Sequence, residues 1–258
     1  MLRKGIGFTP SGRKKNTNVN IINAMSKMKV ACCWDDGVIN DLRLTELLRK
    51  YHAKATFNLN PGLMKEGERI DCSWVPKGYM GWSHNGFLSG KLSLKDITEV
   101  YDGFQLASHC WCHENADTLA PQEWIKCAVD ARKYLEDLVQ RPCRGFAWPC
   151  GVTTPEAAAE LRKAGFAYGR TTGNADDITK CSDVMCLPSN CHYMNPNFYR
   201  IYEAARKTGV FYFWGHSYEM YEYDALWQQL ENRLQYIAED PEAEWVDVVD
   251  VAALCDGK

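Results

Sequence analysis

The stretch Lys29-Val30-Ala31-Cys32-Cys33-Trp34-Asp35-Asp36-Gly37 sets an unbroken run of β-type residues against two carboxylates and a glycine. A short apolar run with no polar alternation reads as a strand covered on both faces, the kind found in parallel sheets. Asp-Asp-Gly then stops it, because aspartate and glycine both favour turns. Read alone, that turn is more readily an Asx turn with no chemistry. Working outward, similar runs recur at 55–59, 105–108, 145–148, 167–170, 210–214 and 245–249, with helical patterns between them. Strands alternating with helices predict an α/β chain with a parallel sheet. Seven such units with no linker between them predict one distorted (β/α) barrel of about seven strands over residues 28–258.

The helices have legible ends and faces. Thr154 is placed to cap a helix that has Pro155 in its first turn and Gly165 beyond its last. Between Pro121 and Val139, Trp124, Ala128, Ala131, Leu135 and Leu138 fall on one face. Leu226, Leu230, Leu234 and Ile237 form a second stripe. Asn195 and Pro196 open another helix that Gly209 closes. The segment 63–92 breaks the rhythm with Trp74, Tyr79, Trp82, His84 and Phe87. Two readings stand for it: a loop lining a cleft, or a surface excursion with its own aromatic cluster.

Composition bounds the function. The 258 residues are 46% hydrophobic and 24% charged, the balance of a globular protein able to bury a large core. A formal net charge of −3 speaks against a nucleic-acid partner, and no apolar run is long enough for a membrane span. Residues 1–27 are basic and aperiodic, either a flexible arm or an extended start, and carry no secretory h-region, which predicts a cytoplasmic protein. The twelve cysteines are spread along the chain without any Cys-x-x-Cys pair, so free thiols are expected in place of a disulfide scaffold or a structural zinc site.

In βα barrels the loops after the strands converge at one mouth. Here those loops begin with Asp35-Asp36, with His109-Cys110-Trp111-Cys112-His113, with Trp148-Pro149-Cys150-Gly151, with Arg170, and with His216 after Trp214-Gly215. Two imidazoles four residues apart share a face if the chain turns helically after the strand, and with a carboxylate from another strand they can hold one cation and leave positions open for water and substrate. His-x-x-x-His alone is a weak signal. Joined to Asp35-Asp36 and to His216, it becomes a specific one.

The same stretches, in the same order, resemble the motifs of the polysaccharide deacetylases, the nodulation-deacetylase homology domain of carbohydrate esterase family four. Cys33-Trp34-Asp35-Asp36-Gly37 is similar to their Thr-Phe-Asp-Asp-Gly, Ser108-His109 through His113 to their His-Ser/Thr-x-x-His, Phe146 through Gly151 to their third motif, and Trp214-Gly215-His216 to the last; Lys54-Ala55-Thr56-Phe57 resembles their second strand. The resemblance spans about residues 29–250. It implies a barrel of seven or eight units, Asp35 as general base, His216 as general acid, and one divalent metal on Asp36, His109 and His113. Zinc is the metal expected, with cobalt or nickel as alternatives. It also implies the Cys150 N–H as an oxyanion donor, beside Pro149.

The chain departs from the family pattern at Ala147, where the family often has an arginine beside the base; Arg144 and Arg170 are the two replacements in reach. Trp148 and Trp214 either stack on a sugar ring or pack in the core. The function this implies is N-deacetylation of an amino sugar in a glycan. The alternatives are hydrolysis of a non-sugar amide on the same fold, or a catalytically silent carbohydrate binder.

Overall fold

A computed structural model describes residues 27–221 and 223–257, so the arm expected over 1–27 lies, but for Lys27, outside the described residues. Strand β1 (Met28–Asp35) is followed by helix α1 (Asp41–Lys50), β2 (Thr56–Leu59), the hairpin strands β3 (Ser73–Trp74) and β4 (Phe87–Leu88), and the single-turn α2 (Ile97–Val100). Then come β5 (Gln105–Ser108), α3 (Pro121–Val139), β6 (Gly145–Ala147), α4 (Pro155–Lys163), β7 (Tyr168–Asn174), β8 (Leu187–Ser189) and β9 (Cys191–His192). The chain ends with α5 (Phe198–Ala205), β10 (Val210–Gly215), α6 (Asp224–Ala238), β11 (Ala243–Trp245) and α7 (Val248–Ala252).

All strands but the hairpin join one sheet in the order β8-β7-β6-β5-β2-β1-β10-β9, with β11 off this path on β1, each pair parallel. The run that opened the sequence reading is its centre. Alternate residues of β1 enter different cores, Val30, Cys32 and Trp34 one cluster, Ala31 and Cys33 another. Such two-sided burial is why the run shows no polar alternation. Helix α3 buries Trp124, Ala128, Ala131 and Leu135. Each large side chain hidden there contributes about 1.5–3 kcal/mol. The Thr154 hydroxyl accepts the Ala157 N–H at 3.1 Å, as its position before Pro155 required.

Three local expectations are corrected. The strand expected at 245–249 ends at Trp245, because Asp247 and Asp250 form a reciprocal capping box and start α7. β11 takes the N-terminal half of the β1 edge whose other half pairs with β2. The second correction concerns the expected strands, which lacked residues 187–192. β8 and β9 are consecutive pieces of one segment, the first paired with β7 and the second with β10. Between them the Asn190 N–H donates to Tyr212 O, its Oδ1 accepts the Tyr212 N–H, and its Nδ2 donates to Ala175 O, at 2.7, 2.7 and 2.9 Å. One broken strand thus joins the two edges of the barrel. Thirdly, residues 109–113 do not turn helically: Cys110 and His113 both adopt left-handed φ, 61° and 64°.

All twelve cysteines are free, as expected. Among the described residues no helix is long and apolar enough to cross a membrane.

Candidate active site

Asp35 is the last residue of β1, and the turn after it is built from backbone rarely used. Asp36 has φ 80° and Gly37 φ 61°; the left-handed φ at Gly37 favours glycine, and a Cβ there would also displace the Met64 methyl. The αL conformation of Asp36 costs about 1–2 kcal/mol and aims its carboxylate across the barrel mouth. The left-handed kinks at Cys110 and His113 bring two imidazoles to the same place. His109 Nε2 and His113 Nε2 each lie 3.8 Å from Asp36 Oδ1, and their rings are edge to face at 4.7 Å. His109 Nδ1 lies 2.8 Å from Ala147 O. A carbonyl only accepts, so the proton is on Nδ1 and the Nε2 lone pair faces Asp36. The Asn60 amide donates to His109 O and fixes the backbone behind it.

These three ligand atoms all lie within 4.8 Å of one another. Ligand atoms about 2.1 Å from one ion stand up to about 4.2 Å apart, so a cation needs only small side-chain shifts to be held. The donor set suits it: burial, outweighing the pull of Asp35, lowers His109 to about 4 and keeps the imidazole neutral. Burial alone would raise Asp36, but Lys91 and the three neighbouring imidazoles lower it below the usual carboxylate range. One carboxylate and two neutral imidazoles fit a divalent N/O-binding metal.

Asp35 faces a second set of partners. Its Oδ1 accepts the Asn58 amide at 2.7 Å, its Oδ2 accepts the Arg170 guanidinium, and His216 Nε2 lies 3.7 Å from Oδ2. Burial would raise this carboxyl, yet Arg170, then His109 and His216, hold it well below its ordinary value. Arg144 is exposed at the start of β6, whereas Arg170 is the register partner of Ala147 on the neighbouring strand. The guanidinium missing at Ala147 is thus supplied one strand over.

His216 is backed by a residue the sequence reading missed. Glu219 Oε2 accepts the His216 N–H at 3.1 Å and lies 3.1 Å from His192 Nε2, while Oε1 lies 3.4 Å from His216 Nδ1. Burial opposes ionisation of Glu219, but hydrogen bonds from His192 and His216 bring it down to about 2. His216 moves the other way: burial lowers it, and Glu219, Asp35 and Asp36 together raise it above the usual imidazole value. The spacing of His192, His216 and Glu219 would also suit a cation. The tautomer argues against one: His192 Nδ1 accepts the Met194 N–H at 3.3 Å, so Nε2 carries the proton toward Glu219 and has no lone pair to give. The signal for Glu219 was its place three residues after His216, the spacing of a capping box.

The groups meet in one cavity of about 510 Å³, whose wall includes Asp35, Asp36, His109, His113, Arg170, Trp214 and His216. Cys150 lines it with φ 54° and is exposed, while Pro149 beside it is buried. Trp214 is half-buried, with the Arg170 guanidinium 4.8 Å over its ring. The expectation for Trp148 as a sugar contact is corrected. It borders the cavity, but its indole is fully buried, stacked on Trp124 at 5.0 Å, and its Nε1 donates to Met185 O, so the ring is not open to stack on a sugar. Of the two readings for 63–92 the cleft-lining one holds, since Leu63, Trp82, Ser89 and Lys91 all line this cavity.

Comparison with known proteins adds the family. The sequence profile of the polysaccharide deacetylases matches residues 22–169, more than half of the chain. No curated protein matches it. Among solved structures, a deacetylase from Streptococcus pyogenes in complex with acetate is 21% identical, over 60% of this chain and 61% of that one, with a TM-score of 0.47. A candidate polysaccharide deacetylase from Mycobacterium smegmatis is 11% identical over 96% and 94%, with a TM-score of 0.61. A Bacillus subtilis peptidoglycan deacetylase is 13% identical over 88% and 91%, with a TM-score of 0.50. The chain therefore spans about three fifths of the first structure and nearly all of the other two. Identities this low speak to the barrel alone, and it is the profile match, beginning ahead of β1 and ending in β7, that decides the relationship: this chain belongs to the polysaccharide deacetylase family.

Proposed function

We propose that this chain removes the acetyl group from an N-acetylated amino sugar of a glycan by hydrolysis of the amide C–N bond. One divalent cation, zinc in the first instance, would be held by Asp36, His109 and His113, with Asp35 as base and His216 as acid. The observation that carries the reading is convergence: a three-donor metal set, a carboxylate locked between Asn58 and Arg170, and an imidazole backed by Glu219 share one cavity wall.

An amide resists hydrolysis because its carbonyl is a weak electrophile and its amine a poor leaving group. A cation bound at the three donors supplies Lewis acidity at the carbonyl oxygen and makes nearby water more acidic. Asp35 stays ionised at neutral pH and takes one proton from the attacking water, while Asn58 and Arg170 prevent its carboxylate from rotating away. The water oxygen adds to the carbonyl carbon, so the C=O π pair moves onto oxygen, and the C–N bond breaks when that pair returns. His216 passes the Nε2 proton to the departing nitrogen, leaving a free amine and acetic acid, which loses the water's second proton to solvent as acetate. The Cys150 N–H, on the exposed part of the wall, is the proposed partner of the developing oxyanion.

Acetate release from an N-acetylated chito-oligosaccharide should disappear on treatment with a strong chelator and return on adding zinc or cobalt. Release that persists in metal-free protein would overturn the reading. The pH profile tests the acid. His216 must be protonated, so activity should fall as pH rises through its elevated value. Glu219→Gln removes a charge that raises it. The alkaline limb should therefore move to lower pH, with kcat little changed on the acid side of the profile and lowered on the alkaline side. An alkaline limb that stays in place would mean that Glu219 does not act on the acid.

A further inference from the structure

The excursion between β2 and β5 contributes none of the hydrolytic groups, yet Trp82, Ser89 and Lys91 from it line the same cavity as Asp35, Asp36 and His216. Its base is fastened to the aspartate turn. Leu92 N–H donates to Gly37 O, Ile39 N–H to Gly90 O, and Lys91 Nζ to Asp36 O, at 3.1, 3.3 and 2.7 Å. Further out, buried Phe87 stacks on Tyr221 at 4.1 Å and shares a small core with Val38 and Tyr218. The hairpin is therefore rooted on both the Asp35 side and the His216 side of the mouth.

Trp82 stands at the end of this support. It is 62% exposed, and it meets Tyr218 edge to face at 5.5 Å, an arrangement in which one partner's ring face stays uncovered by the other's. The other two indoles on the cavity wall are engaged elsewhere: Trp148 is buried against Trp124, and Trp214 carries the Arg170 guanidinium. A pyranose ring has a flat C–H face that suits an indole and a rim of hydroxyls that needs polar partners. Ser89 supplies a hydroxyl, and the Lys91 ammonium has protons beyond the one given to Asp36 O. An open-chain amide has no comparable flat face.

We propose that Trp82, seated on the hairpin between the two catalytic loops, is the specificity-determining residue of this site: it stacks on a pyranose ring, with Ser89 and Lys91 beside it, and selects cyclic amino sugars over open-chain acetamides. The inference rests on the deacetylase reading above and narrows its substrate class.

The test compares metal-loaded wild type, Trp82→Ala, Trp82→Phe and Met80→Ala on N-acetylated chitotetraose and on N-acetylethanolamine. Met80 lies on the same excursion, 95% exposed and outside the cavity wall. Trp82→Ala should raise KM for the sugar by about tenfold, with kcat within about twofold and the open-chain substrate unaffected. Trp82→Phe should recover most of the loss, and Met80→Ala should match wild type. In parallel, chitotetraose binding to inactive Asp35→Asn, measured by calorimetry, should weaken by a similar factor when Trp82→Ala is added. An unchanged sugar KM and affinity would overturn the proposal, as would an equal loss on both substrates, the signature of a collapsed hairpin. Should the wild type bind chitotetraose through Trp82 but release no acetate, the deacetylase reading falls while the ring-recognition role stands.

Discussion

Asp36→Ala is expected to reduce bound metal from one equivalent to less than about a tenth, and acetate release by at least about 10³-fold, because it removes the charged member of a three-donor set. His109 and His113 remain, but two neutral imidazoles do not offset the dehydration of a divalent ion as a carboxylate does. Alanine at φ 80° adds a backbone cost unrelated to the metal. Asp36→Asn is the companion variant, since asparagine tolerates the left-handed conformation and keeps the shape while losing the charge. Both should lose metal by elemental analysis, and the asparagine variant should keep its thermal midpoint more nearly intact. A full equivalent of metal in either would dismiss the assignment. The acid side of the activity profile belongs to the same site. With His109 lowered to about 4, protons displace the cation from the imidazoles and the carboxylate only under acidic conditions. That limb should move to still lower pH as the metal concentration is raised.

How far the sequence could be read depended on whether a feature was local. The strand ending in Asp35-Asp36-Gly37, the Trp124 to Leu135 stripe of α3 and the Thr154 cap are set by neighbours within one turn or one strand, and the structure has all three. The β8–β9 closure is not local: Leu187–Ser189 and Cys191–His192 are too short to show a period, and what makes them strands is their pairing with β7 and β10, with Asn190 bonded to Tyr212 between them. Arg170 was one of two replacements for the missing arginine. Only the register that sets it opposite Ala147 separates it from Arg144, and register depends on the assembled sheet. Trp148 illustrates the same limit, because its direction was decided by Trp124 on a helix more than twenty residues earlier. The helical turn expected for His109 and His113 was the right convergence by the wrong backbone. Two left-handed residues achieve what one helical turn would, and nothing in cysteine or histidine advertises that conformation.

Asp35→Asn is expected to lower kcat by about 10²–10⁴-fold while one equivalent of metal stays bound, which separates the base from the ligands. The variant also disturbs a buried ion pair. Arg170 is 1% exposed and its carboxylate partner is equally hidden, so removing the negative charge strands a cation in the core. Losing one partner of such a pair costs about 3–5 kcal/mol at neutral pH. The sign of its pH dependence follows from the direction of the shift. The folded Asp35 carboxyl lies below its unfolded value, so its stabilisation is present above that unfolded value, near about 3.9, and is lost only as pH falls through the lower folded one. The stability gap between wild type and variant should therefore stay constant from neutral pH to about pH 4 and close only in stronger acid. Rates must be compared well below both melting temperatures, where each protein is folded and metal-loaded. A variant that keeps more than a tenth of the wild-type kcat under those conditions would show that Asp35 serves to anchor Arg170, and that another group takes the proton from water.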